Sequence, residues 1–232
     1  MSELAAEPDP VEPDAAVESQ EPEEKVSSLR IVATLAVAGM LAGLLLVLVY
    51  KATEPAILRN KAEALRLAIQ DVLGAPHRYD TLYVVDGKLT LTLPEGMSER
   101  GTEKVFLGFD EAGAPIGFAL VAGEPGFQDI VRIIFGYDAG ARTTLGIKVL
   151  ESKETPGLGD KIEKDLEWVA QFSGAVTPLI PVKPGRGTGE NSSEIDTITG
   201  ATISSKAVIR IINNSLEKAR PLLEAYTPEE TP

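Results

Sequence analysis

Twenty consecutive uncharged residues, Ile31 to Tyr50 (IVATLAVAGMLAGLLLVLVY), stand apart from a chain that otherwise mixes polar and apolar positions at short range. As a helix rising about 1.5 Å per residue this stretch spans about 30 Å, the thickness of a bilayer's hydrocarbon core. Arg30 and Lys51 bracket it, and Tyr50 stands where an interfacial aromatic would. A cleaved signal peptide would have a short basic leader and a small-residue cleavage site. Here the leader is long and acidic, and Lys51-Ala52-Thr53 follows. Residues 31–50 are therefore expected to form an uncleaved single transmembrane helix.

After the span, the spacing of Ile57, Leu58, Leu65, Ile69, Val72 and Leu73 predicts a helix over 53–73. Next, TLYVVDGKLTLTL reads as a hairpin, with Asp86-Gly87 as its two-residue turn and Leu89, Leu91 and Leu93 alternating after it. Strands are predicted over Val105–Phe109, Ile116–Val121, Ile130–Gly136 and Thr143–Val149. KIEKDLEWVAQF, from Lys161, reads as one helix with Ile162, Leu166, Val169 and Phe172 near one face. VTPLIPVKP is expected to be a strand or extended edge, and the Gly/Ser/Asn-rich residues 185–193 a loop. Val208, Ile211, Ile212, Leu216 and Ala219 predict a last helix over Ser205–Arg220, stopped by Pro221. The expected fold class is α+β: a single N-terminal transmembrane helix, one domain over residues 51–223, and a short tail over 224–232.

Charge changes the picture at the N-terminus. Residues 1–30 hold nine acidic residues against Lys25 and Arg30, so they supply seven of the chain's 13 net negative charges. Rich in Glu, Pro and Ala and poor in large apolar side chains, they cannot bury enough surface to fold and are expected to be a disordered tail. An acidic chain has no electrostatic footprint for nucleic acid. The absence of cysteine removes disulfides, thiolate metal sites, iron–sulfur ligation and lipoprotein attachment. The single histidine, His77, supports neither a metal centre nor a hydrolytic triad. Lys51, Arg59, Lys61 and Arg66 follow the span, against Lys25 and Arg30 before it, a count that mildly favours a cytoplasmic C-terminal domain.

Two stretches carry candidate chemistry. In DTITGATISSKA (196–207), Thr202 stands just ahead of the expected final helix, where free backbone N–H groups and the helix dipole favour a phosphate. Gly200 and Ala201 leave the approach clear, and Asp196 could hold the loop or assist a modifying enzyme. The alternative is a strand–turn–helix junction whose Thr and Ser are simply caps. In KETPGLGD (153–160), Pro156-Gly157 suits a tight turn, Gly159 keeps the backbone slim and Leu158 stands at the loop tip, where it could lie against a flat aromatic ligand.

Together the two are more specific than either alone. DTITGAT resembles the flavinylation motif Asp-x-x-Ser/Thr-Gly-Ala-Thr, and ETPGLGDKI resembles the companion loop of the same FMN-binding domain. GEPGFQDIVRIIFGYD and LEWVAQF look like that domain's strand and following helix. Order, spacing and the single span resemble the G subunit of the Rnf ion-translocating electron transport complex over about residues 30–220. The C subunit of sodium-pumping NADH:quinone oxidoreductase shares both motifs, with a generally longer chain before the flavin motif. The resemblance implies FMN linked by a phosphoester to Thr202, with Asp196, Thr199, Gly200 and Ala201 shaping the attachment loop. It implies that Glu154, Thr155, Gly157, Leu158 and Gly159 line the ring or its ribityl chain. It further implies no acid–base catalytic residue, no bound metal and no activity when separated from the complex. The implied partners are the other membrane and peripheral subunits of the complex and a flavin transferase that uses FAD and a divalent metal. The flavin domain is implied to lie on the periplasmic side of the inner membrane, against the charge count. Thr199 replaces the family's frequent Ser, and Ser152-Lys153 stands where relatives commonly have a nearby His. Two other functions stay open: a non-redox membrane scaffold, and a free-standing extracytoplasmic flavoprotein serving a soluble reductase.

Overall fold

The computed structural model describes residues 27–99, 101–187 and 192–227. Most of the expected acidic tail, the last residues of the C-terminal tail and part of the 185–193 loop lie outside the described residues. The chain divides into two compact units that meet at Pro55 and Ala56.

Helix α1 runs Ser28–Val72 without a break, so the two helices expected on either side of Thr53 are one. Pro55 lies inside it and removes the N–H that would bond to the Lys51 carbonyl. Two residues earlier, the Thr53 hydroxyl donates to the carbonyls of Val49 (2.9 Å) and Tyr50 (3.1 Å), adding bonds where the helical ladder is thinned. Among the described residues α1 is the helix long and apolar enough to cross a membrane.

In the second unit a six-stranded antiparallel sheet runs in the order β2-β1-β3-β4-β5-β6. Its strands are β1 (Arg78–Val85), β2 (Lys88–Thr90), β3 (Lys104–Phe109), β4 (Pro115–Pro125), β5 (Ile130–Asp138) and β6 (Thr143–Glu151). Asp86 (φ +48°) and Gly87 (φ +73°) form the expected tight turn, both in the left-handed region that a primed two-residue hairpin needs. The alternation expected after it stops early, because edge strand β2 pairs over only three residues. Leu89 is buried, whereas Leu91 lies beyond the strand and is 41 % exposed.

Side chains alternate across the sheet, and both faces carry buried side chains. Leu107, Leu120, Ile133, Phe135 and Tyr137 point to one face, under helix α4 (Thr202–Ala225). Phe106, Ala119 and Ile134 point to the other, packed by Ala68, Ile69 and Val72 at the end of α1 and by Leu73 just after it.

Two helical expectations need correcting. The helix from Lys161 is two short pieces, α2 (Lys161–Lys164) and α3 (Leu166–Ala170). Asp165 leaves the helix at ψ 91°, and its carboxylate caps α3 by accepting the Trp168 N–H at 3.1 Å. The break rephases the segment. Leu166, expected inside, is exposed, while Trp168 and Phe172 are buried edge to face with ring centroids 4.9 Å apart. Helix α4 runs on past Pro221 to Ala225. Pro221 orphans only the carbonyl of the exposed Glu217, while buried Leu223 and the Tyr226–Phe118 edge contact hold the last turn. A short parallel pair, β7 (Ile180–Val182) with β8 (Glu194–Asp196), completes the unit. β7 falls in the expected extended edge, while β8 had no sequence signal.

Removing the Phe172 ring beside the chain's single tryptophan should cost about 3–5 kcal/mol. Urea unfolding of the full chain in detergent, followed by Trp168 fluorescence, should show Phe172→Ala with a markedly lower midpoint.

Candidate functional site

β8 leads into residues 197–201 and then into α4, and three anchors fix this junction. Asp196 is held through its backbone and its side chain. Its N–H donates to Gln171 Oε1 (2.9 Å), and its carbonyl accepts the Trp168 indole N–H (2.6 Å). Its carboxylate accepts the N–H groups of Gly185 (3.0 Å), Arg186 (3.2 Å) and Gly187 (2.9 Å). The Thr197 N–H and hydroxyl both donate to the Val182 carbonyl, at 2.8 and 2.9 Å. Ser205 Oγ accepts the Ile198 N–H (3.3 Å) and donates to the Ala201 carbonyl (2.9 Å).

These anchors put Thr202 inside the first turn of α4, which begins two to three residues before the expected start at Ser204 or Ser205. The Ser205 N–H already bonds to the Ala201 carbonyl at 2.9 Å. The N-cap is Ala201, with no side-chain cap bond. The two serines that could have capped are buried and turned inward, and Thr202 is exposed, its hydroxyl making one long contact to the Ile198 carbonyl (3.4 Å). The reading of these hydroxyls as caps is therefore not what folds. An exposed hydroxyl stands instead on an open helix N-terminus, whose partial positive charge suits an anion.

The loop 153–160 reaches the same place. The Thr155 carbonyl accepts the N–H groups of Leu158 (3.2 Å) and Asp160 (3.3 Å), and Gly157 takes the positive φ (+76°) of a type II turn after Pro156. Leu158 Cδ2 would lie 3.3 Å from a Cβ on Gly200, so the two motifs touch at this point. The Thr155 hydroxyl donates to Gln128 Oε1 (3.3 Å) on the β4–β5 turn. Three large apolar side chains of these segments stand in solvent: Phe127 (64 % exposed), Ile203 (54 %) and Leu158 (48 %). An apolar rim beside an anion-favouring helix end fits a group with a flat ring at one end and a phosphate at the other.

Glu154 is turned the other way. Only 6 % exposed, its Oε1 accepts the N–H groups of Phe127 (2.9 Å) and Gln128 (3.1 Å), and its Oε2 accepts the Ser204 hydroxyl (2.6 Å). Burial pushes its pKa up, but the Ser204 hydroxyl and the backbone N–H groups of the β4–β5 turn together outweigh burial, and the net shift is downward. A lowered carboxyl pKa contributes stability that is complete above the ordinary Glu value and is lost as pH falls through the lower folded value. Nearby, Lys153 pairs with Asp129 at 2.7 Å, its hydrogen bond holding the Asp129 carboxyl below the usual range.

The structure thus brings Thr202, Gly200, Ala201, Leu158, Gly159, Thr155 and Glu154 together, with Gly157 in the same turn and Thr199 exposed beside them. Asp196 belongs to the strand that positions the loop, and its carboxylate faces residues 185–187. Sequence reasoning missed the inward roles of Ser204 and Ser205, and missed Phe127, whose signal was a large aromatic in a Gly-rich turn.

Residues 126–217 match the FMN-binding domain family. The G subunit of the ion-translocating oxidoreductase complex of Methanosarcina acetivorans is 27 % identical over 190 residues, covering 81 % of this chain and 92 % of that one. The G subunit of the same complex in Salmonella typhimurium is 30 % identical over 164 residues, covering 64 % and 70 %. The chain belongs to the family of G subunits of ion-translocating oxidoreductase complexes. Among solved structures, Shewanella oneidensis NqrC aligns with a TM-score of 0.54 at 19 % identity over 68 % of this chain and 88 % of that one. The C subunit of the Na⁺-translocating NADH-quinone reductase from Parabacteroides distasonis aligns at 0.50 and 21 %, over 66 % and 80 %. Those two likenesses show the fold alone.

In this member of the G-subunit family, a Cβ at Gly159 would meet Glu154 Cβ and Oε2 at 2.8 Å and Ser204 Oγ at 3.1 Å. Overpacking of this kind costs roughly 1–3 kcal/mol. Gly159→Ala should lower the urea midpoint by a matching amount, and a wild-type midpoint would mean that the loop does not press on Glu154.

Proposed function

We propose that the chain is the membrane-anchored flavoprotein of an ion-translocating, Rnf-type ferredoxin:NAD oxidoreductase complex, carrying FMN through a phosphoester bond to Thr202. The observation that carries this reading is an exposed threonine hydroxyl in the first turn of an uncapped 24-residue helix, in a segment of the FMN-binding domain. The G-subunit relatives and the apolar span of α1 support the membrane complex.

Bound FMN supplies the redox chemistry, and the chain's own residues hold it. The open N–H groups of α4 would stabilise the phosphoester's remaining negative charge. Gly200 and Ala201 keep bulk away from the hydroxyl, and Leu158, with Phe127 and Ile203 beside it, offers apolar surface to the ring. A threonine hydroxyl is a weak nucleophile unless a base activates it. The Asp196 carboxylate already accepts three N–H groups of residues 185–187. The base and the divalent metal belong to a separate flavin transferase. Thr202 Oγ would accept the FMN phosphoryl group of FAD, with adenylate as the leaving group and the hydroxyl proton passing to the transferase. The loaded protein relays electrons among the other members of the complex and has no activity alone.

Peptide mass spectrometry on protein from its native membrane should find FMN less water on the Thr202 peptide, absent in Thr202→Ala. An unmodified Thr202 in cells that contain the transferase would sink the redox reading in favour of a scaffold.

The flavin domain is assigned to the periplasmic side. The chain has no cysteine, so Ser173→Cys, at an exposed position, introduces a single thiol. A membrane-impermeant maleimide should label it in intact cells whose outer membrane has been permeabilised, whereas labelling only after lysis would reverse the orientation.

A further inference from the structure

Three segments far apart in sequence converge on one buried carboxylate. The β4–β5 turn supplies the N–H groups of Phe127 and Gln128, the 153–160 loop supplies Glu154 itself, and the first turn of α4 supplies the Ser204 hydroxyl. Backbone closeness is built for this contact: a Cβ on Gly126 would collide with Glu154 Oε1, and one on Gly159 with Glu154 Oε2. Each segment also bears one of the exposed apolar side chains of the site: Phe127, Leu158 and, next to Ser204, Ile203. Family resemblance put Glu154 against the ring or ribityl chain, yet both its oxygens are occupied by the protein.

We infer that Glu154 is a positioning residue of the flavin site: its buried carboxylate clasps the Phe127 turn, the Leu158 loop and the N-terminus of α4 into one frame, without itself touching the cofactor. The inference rests on the flavin reading of the site. A carboxylate suits the task because it is acceptor-only when ionised, and three donors face it. Three acceptor contacts to a charged group also make the clasp stiff, because each bond is stronger than its neutral counterpart. When Glu154 takes up a proton, the new O–H can turn to Ser204 Oγ, which then accepts, and what the two turn amides lose is the charge on their acceptor. The ionisable groups on the elements around it have their own relations: Asp129 on the turn is paired with Lys153, Asp160 on the loop with Lys164, and Lys206 stands one turn along α4. Among the described residues none of these side chains bonds to Glu154.

The test uses the full chain in detergent, with purified flavin transferase, FAD and Mg²⁺. Four variants are compared: Glu154→Ala, Glu154→Gln, Ser204→Ala and Ser204→Thr. Hydrogen exchange of the Phe127 and Gln128 amides reads the clasp before any flavin is present. Both amides should exchange about tenfold faster in Glu154→Ala, where a charge-assisted acceptor is lost. Ser204→Ala should speed them less, and Ser204→Thr, which keeps the hydroxyl, should restore wild-type rates. Flavin occupancy of Thr202 should fall in the same order. Glu154→Gln keeps an oxygen for the two amides and turns its NH₂ toward Ser204 Oγ, so it should load nearly normally. In loaded wild-type protein the flavin fluorescence should change as pH falls below the ordinary glutamate range, and in Glu154→Gln that step should vanish.

Wild-type amide exchange and occupancy in Ser204→Ala, or an unchanged pH step in Glu154→Gln, would overturn the assignment. If Glu154→Ala does not fold, the Ser204 pair decides alone. If wild-type protein takes no flavin, the proposed function falls, while the exchange rates still decide the clasp.

Discussion

A buried carboxylate is tolerated only where its charge is met by hydrogen bonds, since an isolated ion in a dry site costs several kcal/mol. Glu154 obeys this constraint with donors from two segments, one of them some fifty residues away in sequence. Much of the site's geometry follows from that. The β4–β5 turn must present two successive N–H groups inward, which turns the Phe127 side chain out. The first turn of α4 must present Ser204 inward, which on a helix of 3.6 residues per turn leaves Thr202 and Ile203 facing out. The outward hydroxyl and the outward apolar rim are thus two consequences of one inward requirement.

That arrangement has value only if α4 itself is rigid, and the helix is pinned along its length. Ten of its side chains are buried, most of them against one face of the sheet. Arg210 donates to Glu124 Oε2 (2.8 Å) and to the Pro125 carbonyl (2.6 Å), and Asn214 donates to Glu124 Oε1 (2.8 Å), tying the helix to the end of β4. One residue before, Asn213 both donates to the Leu179 carbonyl and accepts its N–H, at 2.8 Å each. The sheet beneath is stiffened in turn because its other face is covered by Ala68, Ile69 and Val72 of α1. A site on a helix N-terminus held this way keeps its geometry better than one carried on a free loop.

Much of this was legible in the chain. β3 to β6 follow from alternation and turn residues, and the apolar span follows from length and lack of charge. The touching pair of motifs was visible as two short patterns, although only the fold brings Leu158 to Gly200. What misled were positions where a local hydrogen bond overrides periodicity. Asp165 stops a helix that its neighbours would continue, because its carboxylate can cap Trp168, and that single break exchanges Leu166 for Trp168 in the core. Pro221 failed to stop α4 because the carbonyl it orphans belongs to an exposed residue. Glu154 was noticed, but its bonds inside the protein were not legible, since a carboxylate's partners 26 and 50 residues away leave no trace in local spacing.

The N-terminus of α4 shows local stability yielding to chemistry. Alanine at an N-cap is among the poorest choices, about 1 kcal/mol worse than Ser, Thr or Asp. Two serines and two threonines surround Ala201, and none caps the helix. Ser205 instead braces the turn from inside, bonding to Ile198 and Ala201, and Ser204 feeds Glu154. A capping side chain would occupy the same N–H groups that an attached phosphate needs, and so would compete with it. Under the proposed attachment of FMN to Thr202, a missing cap is what a helix end that receives an external phosphate would show, with the phosphate taking the place of the cap. On this view the bare N-terminus gains its cap on loading, and flavin attachment should tighten the first turn of α4 as well as colour the protein.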